Sequence, residues 1–122
     1  MREIKISKRD GTYRTVVAPS RTEKRTLRGL LPRLQSLAML SDVDGVQHGF
    51  TPARSPVSNA AAHTGYQITL SWDLAACFDK LTPAVVRVPI PDECFHHGVA
   101  RQGLPTSPAI CNLALAPLDR QI

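Results

Sequence analysis

The chain has 122 residues, of which 43% are hydrophobic and 20% charged, a composition typical of one globular domain and not of a disordered chain. It has no apolar run long enough to span a membrane and no apolar secretory leader, and its three cysteines lie outside any CxxC pair, which indicates reduced, cytoplasmic thiols. The net charge of +5 is concentrated in residues 1–35, which suggests a polyanionic partner such as nucleic acid, with a solvated basic surface as the alternative.

The first 41 residues predict a β-hairpin followed by a long helix. Ile4 and Ile6 alternate with polar residues before the turn pattern Asp10-Gly11, and the β-prone residues 15–17 follow it. A capping box, Ser20–Glu23, then precedes leucines that recur at three- and four-residue steps. Pro32 lies inside this pattern and predicts a kink or two abutting helices.

The rest of the chain predicts one buried strand among short helices. Residues 66–72, YQITLSW, form the predicted strand, which ends at Asp73. Short helices are predicted within residues 55–65, 82–86 and 91–97, an irregular loop over 101–108, and a helix from Pro108 that is bent or broken near Pro117. The order predicts an α+β fold, whose single central strand has no evident partner.

Four segments, in this order and spacing, resemble the reverse transcriptases of bacterial retrons and group II introns. They are a hairpin ending in YRTVVAPS before a basic helix, then HGFTPARSPVSNAAAHTG, LSWDLAACFDKLTP and RQGLPTSPAICNLALAPLD. The resemblance implies part of a right-hand polymerase fold, with residues 1–67 as fingers and residues 68–122 as the first part of the palm. It also implies RNA-directed DNA synthesis from dNTPs on an RNA template and a primer, in a retron, an intron or a phage-defence system.

The resemblance implies a metal-dependent active site at the aspartate motif. Asp73 would be the catalytic carboxylate and, with the backbone carbonyl of Leu74, a ligand of Mg²⁺, an ion that prefers hard oxygen donors. Two Mg²⁺ ions would act in the complete enzyme. Phe78 would be the steric gate that excludes a 2′-hydroxyl. The alternatives are a turn cap for Asp73 and a core aromatic for Phe78.

Four more residues would bind the nucleotide. Gln102 and Gly103 would contact the nucleotide and the template base, with Gly103 permitting close backbone approach. Lys8 and Arg14 would clamp the triphosphate. They share a face only if the hairpin turn has three residues, because a two-residue Asp-Gly turn sends Arg14 to the other face. An ordinary loop and solvated strand charges are the alternatives.

The predicted nucleic-acid contacts are all cationic. Arg54 would touch a phosphate. A basic face on the first helix would contact the template backbone through charge alone, although a solvated surface explains the same pattern. This face consists of Arg21, Lys24, Arg25 and Arg28.

Two further expectations concern what the sequence lacks. No cysteine–histidine spacing around Cys94, His96 and His97 supports a zinc site with Cys77 or Cys111. The chain contains no Ala-Asp-Asp, the turn that supplies further catalytic carboxylates in this family. We therefore expect it to be inactive alone and to need the remainder of a polymerase as its partner.

The other hypotheses are a catalytically dead remnant that binds RNA or protein, and an unrelated basic nucleic-acid-binding domain. A loop at residues 102–108 far from Asp73 would exclude both polymerase-fold hypotheses.

Overall fold

The computed structural model describes residues 1–121, which form an α+β arrangement of one hairpin and four α-helices. The mixed class agrees with the prediction. Two 3₁₀ turns, Cys77–Lys80 and Asp92–Cys94, lie in the second half. The regular elements are β1 (Arg2–Ser7), β2 (Tyr13–Ala18), α1 (Arg21–Ser41), α2 (Pro56–Ala62), α3 (Pro83–Val86) and α4 (Ser107–Asp119).

The hairpin turn is the longer of the two that the sequence allowed. Ile6 pairs with Arg14, and the amide of Lys8 donates to the carbonyl of Thr12 at 2.7 Å, which leaves three residues in the turn. Gly11 closes it with φ +84°, a conformation that glycine adopts without steric cost. Lys8 and Arg14 therefore lie on the same face of the hairpin.

Helix α1 begins at the predicted capping box. The Ser20 hydroxyl accepts from the Glu23 amide, and the Glu23 carboxylate accepts from the Ser20 amide at 2.7 Å. The helix is continuous across Pro32, so the hypothesis of two abutting helices is wrong. Pro32 removes one backbone donor, but Leu27 and Leu34 on either side of it bury the same apolar face and hold the helix together.

The core lies where α1 and α3 pack against α4. Helix α4 runs without a break through Pro117, contrary to one of the two predicted outcomes there. None of the helices within residues 1–121 combines the length and apolar character needed to cross a bilayer. The core cluster contains Val17, Leu27, Leu34, Ala38, Leu81, Val86, Cys94, Ala100, Leu104, Ala109, Ile110 and Leu113.

The predicted strand at residues 66–72 is absent from the described structure. This segment has no regular structure, and Trp72 is 81% exposed. A strand requires a neighbour to satisfy its backbone groups, and the sheet of the described residues contains β1 and β2 alone. The predicted strand therefore has no partner within residues 1–121.

The shorter elements lie where the sequence predicted them. Ser55 caps α2 by accepting from the Ser58 amide, and Pro56 occupies the first turn. Helix α3 and the 3₁₀ turn at residues 92–94 lie within the two segments predicted to form short helices. The loop at residues 101–106 is irregular, as predicted.

Candidate active-site cleft

A cleft of about 270 Å³ lies between the hairpin and the segment around Asp73. It brings together residues from three separate parts of the chain. Six of the residues singled out from the sequence line it: Lys8, Arg14, Asp73, Leu74, Phe78 and Gln102. The loop at residue 102 therefore lies close to Asp73, which is the arrangement that the polymerase-fold hypotheses require.

Asp73 is the uncommitted acid of this cleft. It is exposed, and within residues 1–121 its carboxylate takes part in no hydrogen bond or ion pair. Asp79 also lines the cleft, but its carboxylate accepts from the guanidinium of Arg101 at 2.5 Å. Of the two carboxylates in the cleft, the one of Asp73 is thus available to a cation.

Two cations face the cleft from the hairpin. Lys8 and Arg14 are exposed, and neither forms an ion pair among the described residues. Their common face follows from the three-residue turn. Two adjacent positive charges opposite an available carboxylate suit a ligand that carries phosphates and a bound metal ion.

Phe78 meets the conditions of both interpretations offered from the sequence. It is half-buried, packs against the core cluster and also lines the cleft. The 3₁₀ turn that carries it begins after Ala76, which has φ +50°. A left-handed conformation is unfavourable for alanine, and strain of this kind is frequent beside functional sites.

The close approach predicted for Gly103 is made to β2. The carbonyl of Gln102 accepts from the amide of Val17 at 2.7 Å, which draws the loop against the strand. Gly103 has φ +101°, and a Cβ atom there would lie 2.1 Å from the Val17 carbonyl oxygen. Gly103 is not among the residues that line the cleft. It therefore positions Gln102 through its contact with β2 and not from within the cleft.

The remaining predicted residues lie elsewhere. The basic face of α1 is exposed, and none of its four cations forms an ion pair within residues 1–121. Arg54, in contrast, binds the carboxylate of Asp42 at 2.8 Å and the carbonyl of Gln47. Its guanidinium holds the loop after α1 in place, so a phosphate contact by Arg54, which stays a prediction, would have to share this side chain with Asp42.

The environment of Asp42 explains its charge. Burial of the carboxylate opposes ionisation and is the largest single influence. Hydrogen bonds from Arg54 and from the amides of Val46 and Gln47 together outweigh it, so the pKa of Asp42 lies below its ordinary 3.8. This ion pair fixes the loop that leads to α2.

Sequence reasoning missed several residues of the cleft wall. Tyr13 and Thr15 flank Arg14 on β2, and Cys77 and Asp79 flank Phe78, so proximity to a motif was the only available indication. Cys77 lies 3.7 Å from Cys111 on α4, sulfur to sulfur. Burial, and then the neighbouring Cys77, raise the pKa of the Cys111 thiol to about 12, so this thiol stays protonated at neutral pH.

Comparison with known proteins agrees with this geometry. Residues 6–122 match the family described as reverse transcriptase (RNA-dependent DNA polymerase). The chain is similar to the Retron Mx65 reverse transcriptase of Myxococcus xanthus, with 32% identity over 148 aligned positions that cover 96% of this chain and 34% of the relative. The Retron Mx162 reverse transcriptase of the same organism is 35% identical over 77 positions, covering 63% of this chain and 15% of that relative.

The chain thus spans about a third of the length of the first of these relatives and less of the second. The longer alignment exceeds the 122 residues of the chain, so the Mx65 protein carries additional residues within the aligned region. No solved structure matched the chain.

Proposed function

Because the chain belongs to the reverse transcriptase family, we propose that it forms the nucleotide-binding part of an RNA-directed DNA polymerase. Residues 1–67 would be the fingers and residues 68–122 the first part of the palm of a right-hand fold. The substrates would be a dNTP, an RNA template and a primer. The observation that carries the proposal is the cleft, in which an available carboxylate, two available cations and an aromatic ring lie side by side.

The family uses Mg²⁺, and the oxygen donors at Asp73 suit this ion. The carboxylate of Asp73 and the backbone carbonyl of Leu74 are hard donors, and both residues line the cleft. When bound, magnesium supplies charge stabilisation for phosphoryl transfer and lowers the pKa of the attacking hydroxyl. A second ion would need carboxylates beyond Asp73, because Asp79 is committed to Arg101.

The other residues of the cleft would bind and orient the nucleotide. Lys8 and Arg14 would neutralise the triphosphate from the hairpin face, an interaction that weakens with salt because both side chains are exposed. Phe78 would lie against the sugar, where its ring disfavours a 2′-hydroxyl. Gln102, held against β2, would offer its side-chain amide to the nucleotide or to the template base.

The template would follow the basic face of α1. Its four cations are exposed and have no acidic partner within the described chain, so a phosphate backbone would not have to displace an ion pair. Such contacts are independent of sequence and sensitive to salt. The proposal places the protein in the cytoplasm, which the free thiols of Cys77, Cys94 and Cys111 support.

Primer extension on an RNA template tests this function in the longest protein that the gene encodes. Asp73→Asn should abolish dNTP incorporation while leaving RNA binding within about twofold, because the substitution removes one charge from the cleft and none from α1. Asp44→Asn is the matched control, since Asp44 is exposed and lies outside the cleft. Undiminished extension by Asp73→Asn would refute the proposed role.

A second function is favoured by the single available carboxylate of the cleft. The chain would then bind RNA or a protein through α1 and the hairpin without performing chemistry. In that case the unmodified protein would bind RNA but fail to extend a primer with any template. Substitution of the basic face of α1 would abolish its binding, and Asp73→Asn would have no effect on either measurement.

A further inference from the structure

Three side chains of metal-binding types lie close together on the side of the hairpin opposite to Lys8 and Arg14. Glu3 lies on β1, and His96 and His97 lie in the loop that follows the 3₁₀ turn at residues 92–94. The Glu3 Oε1 atom is 3.2 Å from His96 Nε2 and 3.7 Å from His97 Nε2. Side chains alternate along a strand, so Glu3 projects from the opposite face of β1 to Lys8.

The backbone of the loop directs both imidazoles to the same place. His96 and Val99 exchange two backbone hydrogen bonds, at 2.9 and 3.3 Å, around a two-residue turn. His97 and Gly98 occupy this turn with φ +49° and +77°. The ring centroids of the two histidines are consequently 4.2 Å apart, inclined at 61°.

Two of the three separations between donor atoms suit a tetrahedral ion, and the third, between the two imidazoles, is below 4.8 Å. Zinc binds imidazole nitrogen and carboxylate oxygen at about 2.0–2.1 Å, which places neighbouring ligands of a tetrahedron about 3.3–3.5 Å apart. The distances from Glu3 Oε1 to the two nitrogens bracket this value. The 3.7 Å distance from His97 is too long for a hydrogen bond, so hydrogen bonding alone leaves the direction of that ring unexplained.

We propose that Glu3, His96 and His97 form a site for a divalent ion of the zinc type, with one coordination position open to water. Two imidazoles and one carboxylate favour such an ion over Mg²⁺, which prefers oxygen donors alone. This donor set differs from the cysteine-containing sets that the sequence excluded: Cys94 is fully buried and is not in the cluster. No sequence motif indicates this cluster, because Glu3 is 93 residues from His96.

The site would join β1 to the loop that supports the cleft. From His96–Val99 the chain continues to Ala100, whose amide donates to the Leu81 carbonyl at 2.9 Å, and then to Gln102 against β2. A bound ion would cross-link β1 to this loop. It would raise the free energy of unfolding by an amount that increases with the affinity of the site and with the ion concentration. The proposal stands whether or not the chain takes part in DNA synthesis.

Titration of the purified protein with ZnCl₂ by calorimetry, and with CoCl₂ by visible absorption, tests the site. We expect one ion per chain, the absorption of tetrahedral cobalt without thiolate charge-transfer bands, and a rise in Tm with zinc. His96→Ala and His97→Ala should each weaken binding by at least about tenfold, because even residues that only support a metal ligand contribute about 10–100-fold. Glu3→Gln, a change on an exposed strand, should weaken binding without risk to folding.

Three matched variants separate this site from others. His63→Ala removes an exposed histidine outside the cluster, Cys77→Ser removes one thiol of the pair with Cys111, and Asp73→Asn alters the cleft. All three should keep zinc affinity within about twofold, and excess Mg²⁺ should not compete. The proposal is overturned if zinc does not bind, if Glu3→Gln and both histidine variants bind normally, or if Cys77→Ser alone loses binding.

Discussion

Gly103 shows how the need for close backbone approach can be recognised at a single residue while the neighbour that it approaches is not. The motif indicated a position where the backbone must approach something closely, and the structure identifies that neighbour as the Val17 carbonyl. A glycine in a loop can indicate that another group approaches the backbone closely, but the sequence does not identify that group. The neighbour depends on the docking of the loop against β2, which is a tertiary contact.

We predict that Gly103→Ala destabilises the fold by more than backbone conformation alone would cost. The new Cβ atom would meet the Val17 carbonyl oxygen at 2.1 Å, so the loop must move away from β2 and carry Gln102 out of the cleft. A left-handed alanine by itself costs about 1–2 kcal/mol. Gly65→Ala is the control, because Gly65 has φ +86° and open space around its Cα. Equal losses of unfolding free energy in denaturant titrations would contradict the account.

The ion pair of Asp42 and Arg54 predicts a pH dependence of stability. The folded pKa of Asp42 lies below 3.8, so its contribution is fully present above the unfolded pKa and is lost as pH falls through the folded value. Asp42→Asn should lower the free energy of unfolding by about 1–3 kcal/mol at pH 7, by weakening hydrogen bonds to a buried carboxylate. The difference from the unmodified protein should shrink below about pH 4. A difference that stays constant down to pH 2 would be inconsistent with this assignment.

At the scale of the elements, local interactions were predictable and non-local ones were not. The capping box of α1 and the turn residue Gly11 depend on neighbours within a few positions, and the sequence predicts both of them. Residues 66–72 do not form the predicted strand because a strand is completed by a partner, and the local sequence carries no information about whether one is present.

The two prolines inside helices illustrate the same limit. Pro32 and Pro117 each predict a break from local geometry, yet α1 and α4 continue through them. Both helices are held along their length by burial against each other, which local propensity does not include. Six residues that line the candidate cleft were easier to predict than these helix geometries, because they belong to the segments that resemble known motifs.

We predict that the basic face of α1 binds RNA by charge. Replacing Arg21, Lys24, Arg25 and Arg28 by alanine should weaken binding to single-stranded RNA of any sequence and reduce the slope of log affinity against log salt by about 3, since each phosphate contact contributes about 0.7. Fluorescence anisotropy at several salt concentrations measures both. Arg33→Ala is the control, an exposed cation on a different face of the same helix. Equal loss in Arg33→Ala would argue against a defined binding face.

On the surface of the whole molecule, one segment next to Asp73 groups four large apolar side chains that are highly exposed. Tyr66, Ile68, Leu70 and Trp72 are between 73% and 81% exposed. Large apolar side chains grouped in one unpaired segment favour association with another surface or with a further strand. The described residues therefore leave a binding edge beside Asp73.

We predict that the 122-residue chain associates with itself in a concentration-dependent manner through this segment. Trp72 is the single tryptophan, so its fluorescence should be that of a solvent-exposed indole in dilute solution and should shift to shorter wavelength as association proceeds. Sedimentation velocity measures the association directly, and replacing Ile68 and Leu70 by serine should suppress it. A monodisperse, cooperatively melting monomer at all concentrations would contradict this prediction.

Binding of a nucleoside triphosphate in the cleft would depend on the hairpin cations Lys8 and Arg14. It is tested most directly by calorimetric titration with Mg²⁺–dTTP of the unmodified protein and of Lys8→Ala, Arg14→Ala and Lys5→Ala. Lys5 is the matched control, since it lies on the opposite face of β1 and outside the cleft. We expect Lys8→Ala and Arg14→Ala each to weaken binding by about tenfold or more, as loss of a charge-assisted hydrogen bond implies, and Lys5→Ala to leave it unchanged. Absence of nucleotide binding, or equal weakening in all three variants, would contradict the account.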